Sequence, residues 1–194
     1  MTERKSLRVI VADDEAVIRM GLKSMLHTLR HKVIETARSG TEAIEKVKQF
    51  GPDLLLLDIK MPDMDGLEAA NILAEQAPLP IVMITAFSEK SLIDRAGEAR
   101  VMGYLVKPID EQKLGPTLDI AVARFAEIQA KLKEADDLKR RLAGRALIEQ
   151  AKQRMINQGL SEDEAYHRLQ ASARRRQISL AEMARRMVSN RRLL

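Results

Sequence analysis

The period of the apolar positions changes several times along the chain. Residues 7–12, Leu-Arg-Val-Ile-Val-Ala, form a short β-branched run that stops at Asp13-Asp14. Behind it Val17, Ile18, Leu22, Met25, Leu26 and Leu29 recur at three-to-four spacing, which predicts a helix. Residues 32–37 read as a weaker strand, and 41–50 put Ala43, Ile44 and Val47 on one helical face. After Pro52, residues 54–57 are an unbroken leucine run, the pattern of a strand covered on both faces, and Asp58 ends it. A loop with Met61-Pro62 and Asp65-Gly66 leads to a helix over 67–76. Pro80 opens a strand over 81–84 that ends at Thr85, a helix covers about 89–102, and a short fifth strand over 104–106 ends at Lys107-Pro108.

Strands alternating with helices predict an α/β fold, a five-stranded doubly wound parallel sheet with right-handed crossovers and helices on both faces. Reactive groups in such sheets lie beyond the carboxyl ends of the strands. Those ends carry Asp13-Asp14, Asp58, Thr85 and Lys107, from four loops distant in sequence.

From residue 118 the period becomes a heptad. Positions 118, 121, 125, 128, 132, 135, 139 and 142 hold Leu, Ala, Phe, Ile, Leu, Ala, Lys and Leu. Up to about residue 126 this stripe is expected to pack on its own sheet. Beyond it, Ile128, Leu132, Ala135 and Leu142, with Phe125 leading in, predict a coiled-coil linker over 125–143. The last segment, 144–194, reads as a small three-helix module. Leu147, Ile148, Ala151, Met155 and Ile156 repeat at helical spacing, and Gly159 is placed to end that helix. Ser161 with Glu164 is a capping box for a second helix, and Ser179 is placed to cap a third.

Charge sharpens this division. Residues 1–124 carry 17 Lys and Arg against 19 Asp and Glu, and residues 125–194 carry 16 against 9. The basic excess therefore lies in the helical module and suits a polyanionic partner such as nucleic acid. The 194 residues contain no Cys, which excludes disulfides, thiol catalysis and cysteine metal sites. Aromatics are 3%, too few for a row of base-stacking rings. No apolar run reaches membrane-spanning length and no signal peptide is evident, so a cytoplasmic protein without membrane attachment is expected.

Three carboxylates converging at one sheet edge repel one another unless a cation stands among them. With no His or Cys in ligand spacing, the donors are hard oxygens that suit Mg²⁺ or Mn²⁺, and Mg²⁺ usually keeps waters and binds phosphate oxygens. A carboxylate beside Mg²⁺ can attack a phosphoryl group, and the transferred group needs positive charge and hydrogen-bond donors, which Lys107 and Thr85 offer. Ala86 is small and would leave the phosphorus open to attack. The Asp63-Met-Asp65-Gly66 stretch hints at a calcium loop, but its register puts Met61 and Ile72 at ligand positions, so it reads as a polar turn.

Val11-Ala-Asp-Asp-Glu15, Leu55-Leu-Leu-Asp-Ile-Lys-Met-Pro-Asp-Met-Asp-Gly66, Ile84-Thr-Ala-Phe87 and Gly103-Tyr-Leu-Val-Lys-Pro108 resemble the motifs of response-regulator receiver domains over 1–124. That resemblance implies a flavodoxin-like receiver with Asp58 as phosphoacceptor. It implies Mg²⁺ held by Asp13, Asp14, Asp58 and the backbone carbonyl of Lys60. Thr85 and Lys107 would bind the phosphoryl group, and Thr85 with Tyr104 would be the switch pair. Positions 60 and 87, which vary in the family and tune phosphoryl lifetime, hold Lys and Phe. The phosphoryl source would be a sensor histidine kinase or a small phosphodonor. The protein would be no enzyme beyond accepting the group and removing it again.

The segment around 140–190, with Arg145-Ala-Leu-Ile-Glu-Gln-Ala-Lys152, Leu160-Ser-Glu-Asp-Glu-Ala-Tyr-His-Arg-Leu-Gln-Ala-Ser-Ala173 and Ser179-Leu-Ala-Glu-Met-Ala184, resembles the ANTAR domain, an RNA-binding antitermination module. Many members have Gly after the Ala-Lys pair, where this chain has Gln153. The resemblance implies hairpin RNA of a leader transcript as target and a homodimer formed on phosphorylation. Lys152, Arg154, Tyr166 and Arg174-Arg175-Arg176 are the candidate RNA contacts. The bland readings are core packing for Tyr166 and complementing of the helix dipole for the arginine run. The other functions considered are a helix-turn-helix DNA-binding regulator using Arg185 and Arg186, and a coiled-coil adaptor without nucleic acid.

Overall fold

The computed structural model describes residues 6–86 and 101–189. Contacts divide the chain into two units, Met1–Ile128 and Gln129–Leu194. Five strands, β1 (Arg8–Ala12), β2 (Lys32–Ala37), β3 (Leu54–Asp58), β4 (Ile81–Ala86) and β5 (Gly103–Lys107), build the first unit. They form one sheet in the order β2-β1-β3-β4-β5, with every neighbouring pair parallel. The described helices are α1 (Ala16–Thr28), α2 (Gly40–Phe50), α3 (Gly66–Gln76), α4 (Glu111–Ile156), α5 (Glu162–Arg175) and α6 (Leu180–Ser189). The doubly wound parallel sheet is the predicted one. Phe87 and most of the helix predicted over 89–102 lie outside the described residues. Val101 and Met102 lead into β5 outside any helix.

The leucine run explains the layering. Leu54, Leu55, Leu56 and Leu57 are each 0% exposed. Leu55 and Leu57 join the core shared with Ala43, Val47 and Leu73, while Leu54 and Leu56 join the core on the other face with Leu22, Leu26, Leu114 and Leu118. Period-two alternation thus feeds two cores from one strand, and each leucine contributes about 1.5–3 kcal/mol of burial. Strand order reverses at β1, so the chain leaves β1 and β3 in opposite directions and a crevice opens where their carboxyl ends meet.

Helix starts are set by side chains. Ser39 Oγ accepts from Glu42 N at 3.2 Å to cap α2, and Asp65 Oδ1 accepts from Glu68 N at 2.7 Å to cap α3. Gly66 follows at the first turn of α3, where an added Cβ would stand 2.0 Å from the Asp58 carbonyl oxygen. Only glycine lets α3 start this close to the end of β3.

Helix α4 continues through the predicted linker into the first helix of the module, without a break at 143–145. The single glycine there, Gly144, costs a helix only about 1 kcal/mol, and it is buried with Ala181 Cβ 3.1 Å from where its own Cβ would stand. Within the second unit Ala151, Met155, Ala165, Leu169, Ala173, Met183, Ala184 and Met187 form one small core. Ser161 and Glu164 make the predicted reciprocal cap of α5, and Gly159 takes the left-handed φ of +99°.

Candidate functional site

The carboxyl ends of β1, β3, β4 and β5 meet at a cleft of about 270 Å³ lined by Asp14, Glu15, Asp58, Ile59, Lys60, Thr85, Ala86 and Lys107. Asp13 is fully buried beneath it and Asp58 is 4% exposed. Lys107 Nζ lies 3.0 Å from Asp13 Oδ2 and 3.0 Å from Asp58 Oδ1, so one ammonium bridges two buried carboxylates from different strands. Burial raises the Asp58 carboxyl; Lys107 pulls it back, the Asp13 and Asp14 charges add to the rise, and it settles at about 6. Burial alone would lower the Lys107 ammonium, but Asp13 and Asp58 prevail and hold it above its ordinary value.

The loop carrying Asp13 and Asp14 is fixed from α1. Arg19 Nη1 donates to the carbonyl oxygens of Asp13 at 2.6 Å and Asp14 at 2.9 Å. Asp13 Oδ1 accepts from Glu15 N at 2.9 Å. Asp13 Oδ2 is buried with the Lys107 ammonium 3.0 Å away. A buried carboxylate oxygen with only an ammonium beside it, next to two further carboxylates in an open cleft, suits a hard divalent cation. Among the described residues no three acidic or histidine side chains are gathered as an ion cage, and Lys107 supplies the neutralising charge.

Thr85 is 3% exposed at the end of β4, its Oγ1 donating to Ala86 O at 3.2 Å. Tyr104 is half-buried against the first core, and burial raises its phenol. Strand register pairs Met83 with Tyr104 and Thr85 with Val106, so Thr85 and Tyr104 sit diagonally on one face of the sheet. The Lys107-Pro108 bond is cis. Lys60 is exposed at the cleft wall.

The candidate residues of the second unit do not gather in the same way. Lys152 is 9% exposed, its Nζ 2.6 Å from Glu162 and 3.2 Å from Glu149. Glu162 foremost, then Glu149, raise its ammonium. Arg154 Nη1 donates to the carbonyls of Met187 at 3.2 Å and Val188 at 2.8 Å, tying down the last turn of α6. Both side chains therefore brace the module. They sit beside the apolar stripe of α4, where partners from α5 and α6 reach them. Tyr166, by contrast, is 40% exposed and outside the module's core, and Arg174, Arg175 and Arg176 are exposed. On the predicted seam Phe125 packs against its own unit's core, as expected for the stripe up to about residue 126, because the sheet still covers α4 at that point. Ile128, Leu132, Leu138 and Leu142 are 41–56% exposed, and Ala135 is exposed.

Sequence reasoning missed Glu15, Arg19 and Gly66. Arg19 carried one signal: a cation near the start of a helix opposes the helix dipole unless it has local partners. The contact made by Glu15 joins the start of α1 to β5, 92 residues on, and the clash that requires Gly66 depends on how closely α3 folds back on the end of β3, so nothing in the local pattern marks either.

Comparison with known proteins agrees with this geometry. The response regulator receiver domain model matches residues 9–119, and the ANTAR domain model matches residues 136–188. The transcriptional regulatory protein PdtaR of Mycobacterium tuberculosis is 40% identical over 178 residues, 91% of this chain and 87% of that protein. LnrK of Bacillus subtilis, also a transcriptional regulatory protein, is 40% identical over 104 residues, 52% of this chain and 47% of its own length. Among solved structures, the signal receiver domain of a modulated diguanylate cyclase from Desulfovibrio desulfuricans superposes with a TM-score of 0.59 at 28% identity, covering 63% of this chain and 98% of that one. The receiver domain of AraT from Geobacillus stearothermophilus gives 0.57 at 31% identity, over 64% and 99%.

Proposed function

The chain belongs to the response-regulator receiver family and carries an ANTAR domain behind its receiver, and from that premise we propose how its residues perform phosphorylation-activated antitermination. It is a response regulator of the ANTAR antiterminator type, a regulator rather than an enzyme. The proposed divisions are a receiver over 1–124, a linker helix over 125–143 and an RNA-binding module over 144–194.

Asp58 is the phosphoacceptor. Its carboxylate oxygen attacks the phosphorus of a phosphohistidine or small phosphodonor, the bond to the leaving group breaks, and an aspartyl-phosphate forms. The bridge from Lys107 Nζ to Asp13 and Asp58 carries this reading, because it puts one fixed positive charge where the phosphoryl oxygens will develop negative charge. Asp13, Asp14, Asp58 and the Lys60 carbonyl would hold Mg²⁺, which supplies charge neutralisation at the phosphoryl oxygens when bound. Thr85 turns its hydroxyl to the phosphoryl group, and Tyr104 follows on the same sheet face. Ala86, exposed and small, leaves the phosphorus open to water, so the same cleft limits the lifetime of the mark.

The exposed seam of Ile128, Leu132, Ala135 and Leu142 pairs with a second copy once the receiver is phosphorylated, and the paired modules bind hairpin RNA. Tyr166 and Arg174-Arg175-Arg176 face the RNA. The protein works in the cytoplasm; among the described residues no helix is long and apolar enough to cross a membrane. Filter binding of hairpin RNA and duplex DNA across a salt series, with and without phosphodonor, tests the reading. Tighter RNA binding after phosphorylation supports it, whereas preference for duplex DNA contradicts it.

A further inference from the structure

A third carboxylate touches Lys107, and the phosphoryl chemistry does not call for it. Glu15 Oε1 lies 3.3 Å from Lys107 Nζ, although the Glu15 side chain is 61% exposed and free to point into water. Glu15 also occupies the N-cap of α1, a place that Ser, Thr, Asp or Asn fills best, and its side chain caps nothing there. The residue forgoes the local hydrogen bond its position offers and reaches across to β5 instead.

Lys107 Nζ stands 3.0 Å from Asp13 Oδ2 and 3.0 Å from Asp58 Oδ1, on carboxylates that a divalent cation would also need. Ammonium and divalent cation repel each other and compete for the same two side chains. We propose that Glu15 is a positioning residue for Lys107: it gives the ammonium a carboxylate at the rim of the cleft when a divalent cation takes Asp13 and Asp58. Without Glu15, cation entry would strip Lys107 of its partners; with it, Lys107 stays charged, paired and close to the phosphoryl position. This rests on the divalent-cation reading of the cleft given above.

The test is calorimetric titration of the full chain with Mg²⁺ alone, no phosphodonor present. Glu15→Gln should weaken Mg²⁺ binding by roughly threefold to tenfold, the range expected when one member of a coupled charge cluster is removed. Glu15→Asp keeps the charge and caps α1 better but is one methylene too short to reach Lys107, so it should lose as much affinity as Glu15→Gln. In a Lys107→Met background, Glu15→Gln should have no further effect. Unchanged affinity in Glu15→Gln, full affinity in Glu15→Asp, or an equal loss in the Lys107→Met background each overturns the role of Glu15. If the unaltered chain binds no Mg²⁺, the cation reading of the cleft falls first and this proposal with it.

Discussion

Replacing Asp58 by Asn should make the first unit more stable above neutral pH in the absence of divalent cations. Burial lifts the Asp58 carboxyl from its ordinary 3.8 to about 6, so the ionised form is disfavoured in the folded protein. That difference corresponds to about 3 kcal/mol, with partial relief through Lys107 already included. Because the folded state holds its proton more tightly than the unfolded chain, the unaltered protein binds more protons when folded between about pH 4 and pH 6. Its stability therefore falls as pH rises through that window and levels off above it. Asparagine resembles the protonated carboxyl, so Asp58→Asn should be flatter across the window. It should exceed the unaltered chain by about 2–3 kcal/mol at pH 8 and match it near pH 4. Hydrogen exchange of the β3 amides in EDTA, corrected for intrinsic rates, reads this free energy for the first unit alone. Adding Mg²⁺ should stabilise the unaltered chain and leave Asp58→Asn nearly unmoved. A stability gap that does not change with pH, or an Asp58→Asn protein weaker than its parent at pH 8, would refute the reasoning.

Four further outcomes can be checked. Gly66→Ala should destabilise the first unit by about 3 kcal/mol and abolish phosphorylation, since the new Cβ meets the Asp58 carbonyl oxygen at 2.0 Å; urea unfolding and phosphodonor labelling read both effects. Arg174→Ala, Arg175→Ala and Arg176→Ala should each lower the salt dependence of RNA binding by about one phosphate contact without changing the melting temperature. Lys152→Met should do the reverse, lowering the melting temperature of the module and leaving the salt slope alone, because its charge is spent on Glu162 and Glu149. Leu132→Glu with Leu142→Glu should keep the phosphorylated protein monomeric in sedimentation while Asp58 still takes up phosphate.

The strands and their polar ends were legible because each rests on a local pattern. The four leucines of β3 read as a strand buried on both faces, and Asp58 ends it as the pattern required. The caps at Ser161 and Ser179 were legible for the same reason: both partners lie three residues apart. What escaped depends on neighbours distant in sequence. The pairing of Lys152 with Glu162 and the bonds of Arg154 to the end of α6 exist only once α5 and α6 pack back on α4. Phe125 packs on its own sheet and Ile128 is exposed, so the change of cover falls near residue 126, where the length of a five-stranded sheet put it. Helix α4 runs on through residue 144, because one buried glycine costs too little to interrupt a helix that otherwise continues. Glu15 stayed hidden because its partner is 92 residues away.

Direct observation of the modified residue tests the account at its centre. The chain is incubated with Mg²⁺ and acetyl phosphate, its intact mass is measured, and the modified residue is located by borohydride reduction and peptide mapping. One phosphoryl group on Asp58, absent from Asp58→Asn, is the predicted result. Label elsewhere, or equal labelling of Asp58→Asn, would contradict the role assigned to this carboxylate.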